Sequence, residues 1–260
     1  MTPLRTIAVP ALSDNYIWLL VAGGRALIVD PGESAPVLAA LERERCVPAG
    51  ILLTHHHPDH IAGVAGVLEH YRQLPVIAPQ DVRITTATRS VADGDTVVFE
   101  APAVRFEVLA IPGHTSSHIA FHGGGVVCAG DTLFSVGCGR MFEGTAPQML
   151  ASLDRLRALP GDTLLCCGHE YTLANCAFAL SIDSDNRALR QRADAVRSLR
   201  ASGEPSVPVT LDLERETNPF LRVDAPAIIE TCVRALGPEA AQDRVARFAW
   251  LRKQKDQFAG

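Results

Sequence analysis

The chain has 260 residues, of which 47% are hydrophobic and 20% are charged, and its formal net charge is −5. This length fits one large domain or one domain with a smaller second one, and the hydrophobic content is enough for a buried core. The acidic balance argues against a nucleic-acid-binding surface, and no apolar run reaches the length of a membrane span. We therefore expect no nucleic-acid or membrane partner. Because the first ten residues lack the pattern of a signal peptide, we expect the protein to be cytoplasmic.

Seven cysteines are present, an odd number without any Cys-x-x-Cys pair. This usage favours reduced thiols over a disulfide framework or a cysteine zinc site. We interpret the neighbouring Cys166 and Cys167 as buried strand residues and not as a redox pair, because they end an apolar run.

Short apolar runs separated by turns predict strands and a few helices in the first two thirds of the chain. The expected strands are Asn15–Val21, Arg25–Val29, Gly50–Leu53, Val76–Ala78, Thr96–Phe99, Val104–Ile111, His118–His122, Val126–Ala129 and Thr163–Cys167. The expected helices are Ser34–Arg45, capped by Ser34, then Ile61–Tyr71 and Pro147–Leu159. Mixed strands and helices indicate an α/β fold with layered sheets flanked by helices.

The pattern changes to helices after about residue 171. The segments Leu173–Arg200, Ala225–Leu236 and Ala240–Leu251 have helical patterns, and a loop rich in proline separates the first two. We therefore expect an α/β domain over residues 1–171 and a helical domain over residues 172–260.

Four of the nine histidines lie in the run Thr54-His-His-His-Pro-Asp-His60, between a short apolar strand and a helix. Neutral imidazole and carboxylate are good ligands for zinc, iron and similar ions. His55 and His57 alternate and can point the same way, while Asp59 and His60 follow the turn and can face a second ion. This one loop could therefore contribute to the binding of two metal ions.

Two ions need more ligands than this loop supplies, and three further candidates each follow a strand and a glycine. They are His114, Asp131 and His169. Alone, Asp131 could be a turn cap and His169 a core histidine. Because all three follow strand ends, we expect them to complete the metal site together.

The other histidines are interpreted as non-ligands. His56 points away from its neighbours, His70 lies on a helix, and His118 and His122 alternate with apolar residues. His118 is a candidate for a group that orients a ligand.

The run from Thr54 to His60 resembles the signature of the metallo-β-lactamase superfamily. Gly113-His114-Thr115, Gly130-Asp131-Thr132 and Gly168-His169-Glu170 resemble its later ligand motifs in the same order. One branch is more similar than the others, the hydroxyacylglutathione hydrolase or glyoxalase II family. The segments that carry this resemblance are Gly130–Phe134, Gly137–Thr145, Cys167–Thr172, Asn218–Phe220 and Lys255–Phe258.

The resemblance implies an αββα sandwich of the metallo-β-lactamase type followed by a helical substrate-binding domain. It implies two divalent metal ions, zinc foremost, with iron or manganese as alternatives. The implied ligands are His55, His57 and His114 for one ion, Asp59, His60 and His169 for the other, and Asp131 as the bridge.

The resemblance also implies that Arg140, Tyr171, Arg252 and Lys255 bind glutathione. Lys255 is one of only two lysines in the chain. Two departures bear on substrate affinity, because the family often has lysine where this chain has Arg140, and tyrosine where it has Phe142.

The implied reaction is hydrolysis of an S-(2-hydroxyacyl)glutathione thioester, expected to be S-D-lactoylglutathione, by a monomer. Asp59 would orient the metal-bound hydroxide, and the thiolate would leave with little protonation. The alternative function is that of a glutathione persulfide dioxygenase with a single iron in the same superfamily. A β-lactamase or a protein with only a structural metal fits less well.

Overall fold

The computed structural model describes residues 4–258, which form two compact units. The first unit contains the chain up to Ala110 together with Ser117–Gly130 and Leu164–Glu170. The second unit contains Ile111–Ser116, Asp131–Thr163 and the chain from Tyr171 onwards. Each unit is therefore built from stretches that are separated along the sequence.

Strands dominate the first half of the described chain and helices the second half. The strands are β1 (Arg5–Ala11), β2 (Asn15–Ala22), β3 (Arg25–Val29), β4 (Val47–Leu52), β5 (Val76–Pro79), β6 (Arg89–Val91), β7 (Thr96–Glu100), β8 (Ala103–Ala110), β9 (Ile119–Gly123), β10 (Val126–Gly130), β11 (Leu133–Phe134), β12 (Gly137–Cys138), β13 (Leu164–Cys167) and β14 (Val209–Thr210). The α-helices are α1 (Ser34–Arg43), α2 (Pro58–Ile61), α3 (Val64–His70), α4 (Ala146–Arg157), α5 (Thr172–Ile182), α6 (Arg187–Ala201), α7 (Leu211–Thr217), α8 (Pro226–Leu236) and α9 (Arg244–Gln257).

The first sheet has the strand order β1-β2-β3-β4-β5-β6. Its first three strands are antiparallel, and β3 to β6 are parallel. Strand β2 is buried along nearly its whole length, as expected for a strand that is covered on both faces. Helices α1 and α3 supply Val37, Leu41, Val64 and Val67 to the apolar core of this sheet.

Strand β1 was not predicted from the sequence. It pairs with β2 in antiparallel register from Arg5 opposite Val21 to Ala11 opposite Asn15. Its Pro10 lacks an N–H donor, which an edge strand tolerates because one side of its backbone has no neighbouring strand. The local pattern of β1 is weak, so its pairing with β2 decides its conformation.

In the first unit the second sheet has the order β13-β10-β9-β8-β7. Strands β10 and β13 are parallel, and the other neighbours are antiparallel. Strand β8 alternates exposed and buried residues over most of its length, the pattern of a strand with one face in the core. Every strand predicted from the sequence is present, with ends shifted by up to three residues.

Two helix predictions for the first unit were wrong in detail. The predicted cap Ser34 is the first residue of α1, and Glu33 occupies the N-cap position. The predicted helix Ile61–Tyr71 is interrupted between α2 and α3. The interruption occurs because the N–H of Gly63 bonds to the carbonyl of Pro31, at 2.9 Å, and not to the preceding helical turn.

The second unit is mainly helical, as predicted for the C-terminal part of the chain. The predicted helix Leu173–Arg200 is divided into α5 and α6. The intervening run Asp183-Ser-Asp-Asn186 contains turn-forming residues. The side chain of Asn186 caps α6 by accepting a hydrogen bond from Leu189 N, at 3.1 Å. Among the described residues, no helix is both long and apolar enough to span a bilayer.

Candidate metal centre

The histidine-rich loop of the first unit begins just after β4. Thr54 anchors it, because its backbone N and its Oγ1 donate to the two carboxylate oxygens of Asp30, at 2.8 and 2.7 Å. His57 has an extended backbone and is the N-cap of α2, and Pro58 occupies a first-turn position that suits proline. His57 therefore lies on extended chain, while Asp59 follows on the first helical turn.

Asp59, His60 and His169 form one candidate metal-binding group, whose ligand atoms all lie within 4.8 Å of one another. The Nε2 atoms of His60 and His169 lie 3.4 and 3.3 Å from the same oxygen, Oδ2 of Asp59. Two imidazoles and one carboxylate that converge in this way are a suitable donor set for a divalent ion.

The opposite nitrogens of the two rings each face a second carboxylate. His169 Nδ1 lies 2.7 Å from Asp14 Oδ1, and His60 Nδ1 lies 3.1 Å from Asp30 Oδ2. Because an ionised carboxylate can only accept, each Nδ1 carries the hydrogen and donates it. With Nδ1–H donated in this way, a neutral ring offers its Nε2 lone pair to a metal ion, whereas a protonated ring donates Nε2–H to Asp59.

Asp59 is the shared partner in this group. Burial raises the pKa of the Asp59 carboxyl, but hydrogen bonds from His169 and His60 outweigh burial and hold the pKa well below its usual range. Asn15 Nδ2 also donates to Oδ2 of Asp59, at 3.0 Å. Asp59 is therefore ionised and held in place by three neighbours.

His55 of the first unit is fully buried. Its Nδ1 lies 3.0 Å from Thr54 Oγ1, and its ring stacks on that of His118 with centroids 4.5 Å apart. The ring of His57 lies edge-on to the His55 ring, with centroids 4.7 Å apart.

A Cβ atom on Gly130, whose φ is +47°, would lie 2.3 Å from Thr54 Oγ1 and 2.9 Å from the His118 ring. Glycine at this strand end therefore leaves room for the loop.

Asp14 and Asp30 were missed in the sequence analysis. Asp30 is buried with φ of +51°, directly after β3, which lies parallel to β4. Since parallel neighbours end at the same edge of a sheet, an acid after β3 could have been connected with a histidine loop after β4. No comparable pattern in the sequence around Asp14 pointed to the metal site.

In the second unit, His114 and Asp131 lie together and are buried. His114 Nε2 is 3.5 Å from Asp131 Oδ2, and its Nδ1 donates to the carbonyl oxygen of Arg140, at 2.9 Å. A Cβ on Gly139 would lie 1.9 Å from the carbonyl oxygen of Asp131 and 3.2 Å from His114 Nδ1. This pair thus repeats the arrangement of His60 and His169, with a backbone acceptor in place of a carboxylate.

The second unit also brings together three of the four predicted substrate-binding residues. Asp256 Oδ1 lies 3.3 Å from Arg140 Nε and 3.2 Å from Arg252 Nη2. Lys255 Nζ donates to the carbonyl of Ala174, at 3.3 Å. Burial lowers the pKa of the Lys255 ammonium, and the charges of Arg252 and Arg140 lower it further. The group therefore carries three cations and one anion, an excess of positive charge suited to an acidic ligand.

Two aromatic residues of the second unit are exposed. Tyr171, the fourth predicted substrate-binding residue, is 38% exposed and packs edge-on against Phe134 with ring centroids 5.2 Å apart. Phe142 is 64% exposed and lies 5.2 Å from the His114 ring. Its ring is therefore accessible and apolar, without a hydroxyl group.

Two family models together match nearly the whole chain. The metallo-beta-lactamase superfamily matches residues 12–169, and the hydroxyacylglutathione hydrolase C-terminus matches residues 170–258. Hydroxyacylglutathione hydrolase from Xanthomonas campestris pv. campestris (strain B100) is 52% identical over 98% of this chain and 99% of its own. The protein of the same name from Xylella fastidiosa (strain M12) is 48% identical, with 98% of each chain covered.

Solved structures have the same fold. ETHE1 from Myxococcus xanthus is 24% identical with a TM-score of 0.63, over 96% of this chain and 89% of that chain. BLEG-1 B3 metallo-beta-lactamase is 22% identical with a TM-score of 0.62, over 84% of this chain and 99% of that one. These findings confirm the predicted fold class. The chain is an enzyme that belongs to the hydroxyacylglutathione hydrolase family of the metallo-β-lactamase superfamily.

Proposed function

We propose that this enzyme hydrolyses the thioester bond of an S-(2-hydroxyacyl)glutathione, with S-D-lactoylglutathione as the substrate. The products are a 2-hydroxy acid, here D-lactate, and free glutathione, which makes this the second step of methylglyoxal detoxification. The observation that carries the proposal is the full-length match to hydroxyacylglutathione hydrolases, including their C-terminal region. The cationic group of Arg140, Arg252 and Lys255 supports it, because glutathione carries carboxylates.

The donor set supports a centre with two divalent ions. We assign His55, His57 and His114 to one ion, Asp59, His60 and His169 to the other, and Asp131 to both. Zinc suits these imidazole and carboxylate ligands, and iron and manganese suit them too. The fit to a metal rests on the converging Nε2 atoms and on the acceptors that hold each Nδ1–H.

When bound, two divalent ions lower the pKa of a coordinated water to about 7 and polarise a carbonyl oxygen. The protein's own groups do the rest. Asp59 uses its ionised carboxylate to orient the attacking water. The leaving thiolate has an ordinary pKa of about 8.5 and needs little protonation, which agrees with a site that offers no dedicated general acid among its proposed residues.

The substrate arm is held by charge. Arg140, Arg252 and Lys255 pair with the glutathione carboxylates, and Tyr171 offers a hydroxyl and an aromatic face. Phe142 provides apolar contact without a hydroxyl. These contacts act on the part of the substrate that does not react, so they set KM more than kcat.

We also propose the domain boundaries, the oligomeric state and the cellular compartment. The catalytic domain comprises residues 1–171 and the substrate-binding domain residues 172–260. The enzyme acts as a monomer in the cytoplasm.

The test is a direct assay with metal analysis on the same sample. The protein is purified without added metal, and loss of S-D-lactoylglutathione is followed by its thioester absorbance. We expect rapid hydrolysis that a chelator abolishes, and we expect His57→Ala to lose metal and activity together. A sample with no hydrolysis, one iron per chain and oxygen uptake with glutathione persulfide would instead identify the dioxygenase.

A further inference from the structure

The short hairpin of β11 and β12 in the second unit turns through a strained residue. Val136 lies in the turn, is fully buried and has φ of +58°. A β-branched residue rarely adopts this left-handed conformation, which persists only where its surroundings enforce it. The turn therefore needs an external constraint.

Glu214 of α7 supplies that constraint. Its carboxylate is fully buried and accepts from Ser135 Oγ at 2.6 Å and from Val136 N at 2.8 Å. Its Oε2 also lies 3.0 Å from Asn218 Nδ2. One carboxylate therefore holds both residues of the turn and a neighbouring amide.

Other buried polar groups hold the same turn. Asn218 Nδ2 lies 3.1 Å from the carbonyl of Phe134 and 3.0 Å from that of Gly137. Asn175 Nδ2 donates to the carbonyl of Ser135, at 3.1 Å, and Arg192 Nη2 donates to Ser135 Oγ, also at 3.1 Å. Burial of so many polar groups has a cost that well-packed apolar residues would avoid. Removal of one member of this network would leave its buried partners without a hydrogen bond.

The two ends of the hairpin carry residues of the proposed site. Asp131 lies just before β11, and Arg140 lies just after β12. Gly139 N donates to the carbonyl of Thr132, at 3.2 Å, and joins the two ends. The carbonyl of Arg140 accepts from His114 Nδ1. A shift of the hairpin would thus move a proposed bridging ligand, the acceptor that orients a second ligand, and a proposed substrate contact.

We propose that Glu214 is a positioning residue, whose buried carboxylate fixes the β11–β12 hairpin and thereby the positions of Asp131, His114 and Arg140. This inference rests on the proposed function for the roles of those three residues. Glu214 acts through the hairpin and does not touch substrate or metal itself.

The test compares two substitutions with a matched control in the full-length chain. Glu214→Met keeps the side-chain volume but removes both acceptor oxygens. Glu214→Gln keeps one acceptor for Val136 N. Glu216→Met is the control, because Glu216 is exposed on the same helix. For each protein, zinc affinity is measured by chelator competition, and KM and kcat are measured per folded molecule.

We expect Glu214→Met to weaken zinc binding about tenfold or more, the usual effect of removing a group that supports a ligand, and to raise KM. Glu214→Gln should show a smaller loss of the same kind, and Glu216→Met should match the wild type. If Glu214→Met does not fold, the zinc affinity and KM of Glu214→Gln test the inference. Wild-type zinc affinity and KM in the folded Glu214 variants would overturn the inference. The zinc readout does not depend on substrate, so failure of the proposed hydrolysis would be seen separately in the wild type.

Discussion

His169 Nδ1 lies 2.7 Å from Asp14 Oδ1, while the Nε2 atom of the same ring lies 3.3 Å from Asp59. The His60 ring is held in the same way between Asp30 and Asp59. In both cases, a carboxylate outside the proposed ligand set fixes the tautomer and the direction of a proposed ligand. The first unit is thus organised so that two imidazole Nε2 atoms converge on one carboxylate oxygen.

Asp14 should therefore control metal affinity without being a ligand. Replacement of Asp14 by Ala removes the acceptor for His169 Nδ1–H and should weaken zinc binding about 10- to 100-fold. Asp14→Asn, which retains an amide oxygen as acceptor, should recover part of the loss. Chelator competition on the metal-free protein measures both effects. Asp185→Ala, at a 97% exposed side chain, is the control, and equal zinc affinity in the Asp14→Ala and control proteins would contradict this role.

Lys255 should act on substrate binding and not on the chemical step. Loss of its charge-assisted contact in Lys255→Ala should raise KM about tenfold, the equivalent of ~1.4 kcal/mol, with kcat nearly unchanged. The only other lysine, Lys253, is exposed on the same helix. Steady-state kinetics of Lys253→Ala should match the wild type. An unchanged KM in Lys255→Ala would remove this residue from the substrate site.

Gly130 should be intolerant of any side chain. Gly130→Ala places a Cβ against Thr54 and His118 at a residue with φ of +47°, and should lower the free energy of unfolding by about 3 kcal/mol. Gly125 has φ of +82° with nothing within 4 Å of its added Cβ. Gly125→Ala therefore isolates the backbone strain and should cost only about 1 kcal/mol. Urea denaturation compares the two, and equal losses would show that the close approach at Gly130 is unimportant.

Stability should depend on pH through Glu214. Burial raises the pKa of its carboxyl above the ordinary value of 4.5, although hydrogen bonds from Ser135, Val136 and Asn218 oppose the shift. A raised folded-state pKa contributes stability that is fully present below the unfolded pKa and is lost as pH rises through the folded pKa. The difference in unfolding free energy between wild type and Glu214→Gln should therefore fall as pH rises from about 4.5. Urea denaturation of both proteins at several pH values measures this difference. A difference in unfolding free energy that grows with pH would contradict a raised pKa of Glu214.

Local patterns in the sequence predicted much of the fold. Strands such as β2 and β10 are continuous apolar runs, so their own residues identify them. Strand β1 has a weak pattern and depends on its pairing with β2. The break between α5 and α6 was missed because helical spacing continues on both sides of Asp183–Asn186, although the turn-forming composition was visible.

The candidate site was predictable where its residues are close in sequence or follow a recognisable motif. The run from His55 to His60 is the clearest case. Asp14 and Glu214 could not be found this way, because their partners lie far away along the chain: His169 for Asp14, and Ser135 for Glu214. Neither acid follows a pattern that distinguishes it from a surface carboxylate, and only the folded structure shows that each one supports a specific group.

The most direct test of the account is a zinc titration of the metal-free enzyme, with the rate of S-D-lactoylglutathione hydrolysis measured at each step. If two ions act together, hydrolysis should rise until about two equivalents of zinc are bound per chain and then stay constant. Full activity at one equivalent, or no thioester hydrolysis at any zinc concentration, would contradict the proposed two-metal hydrolase.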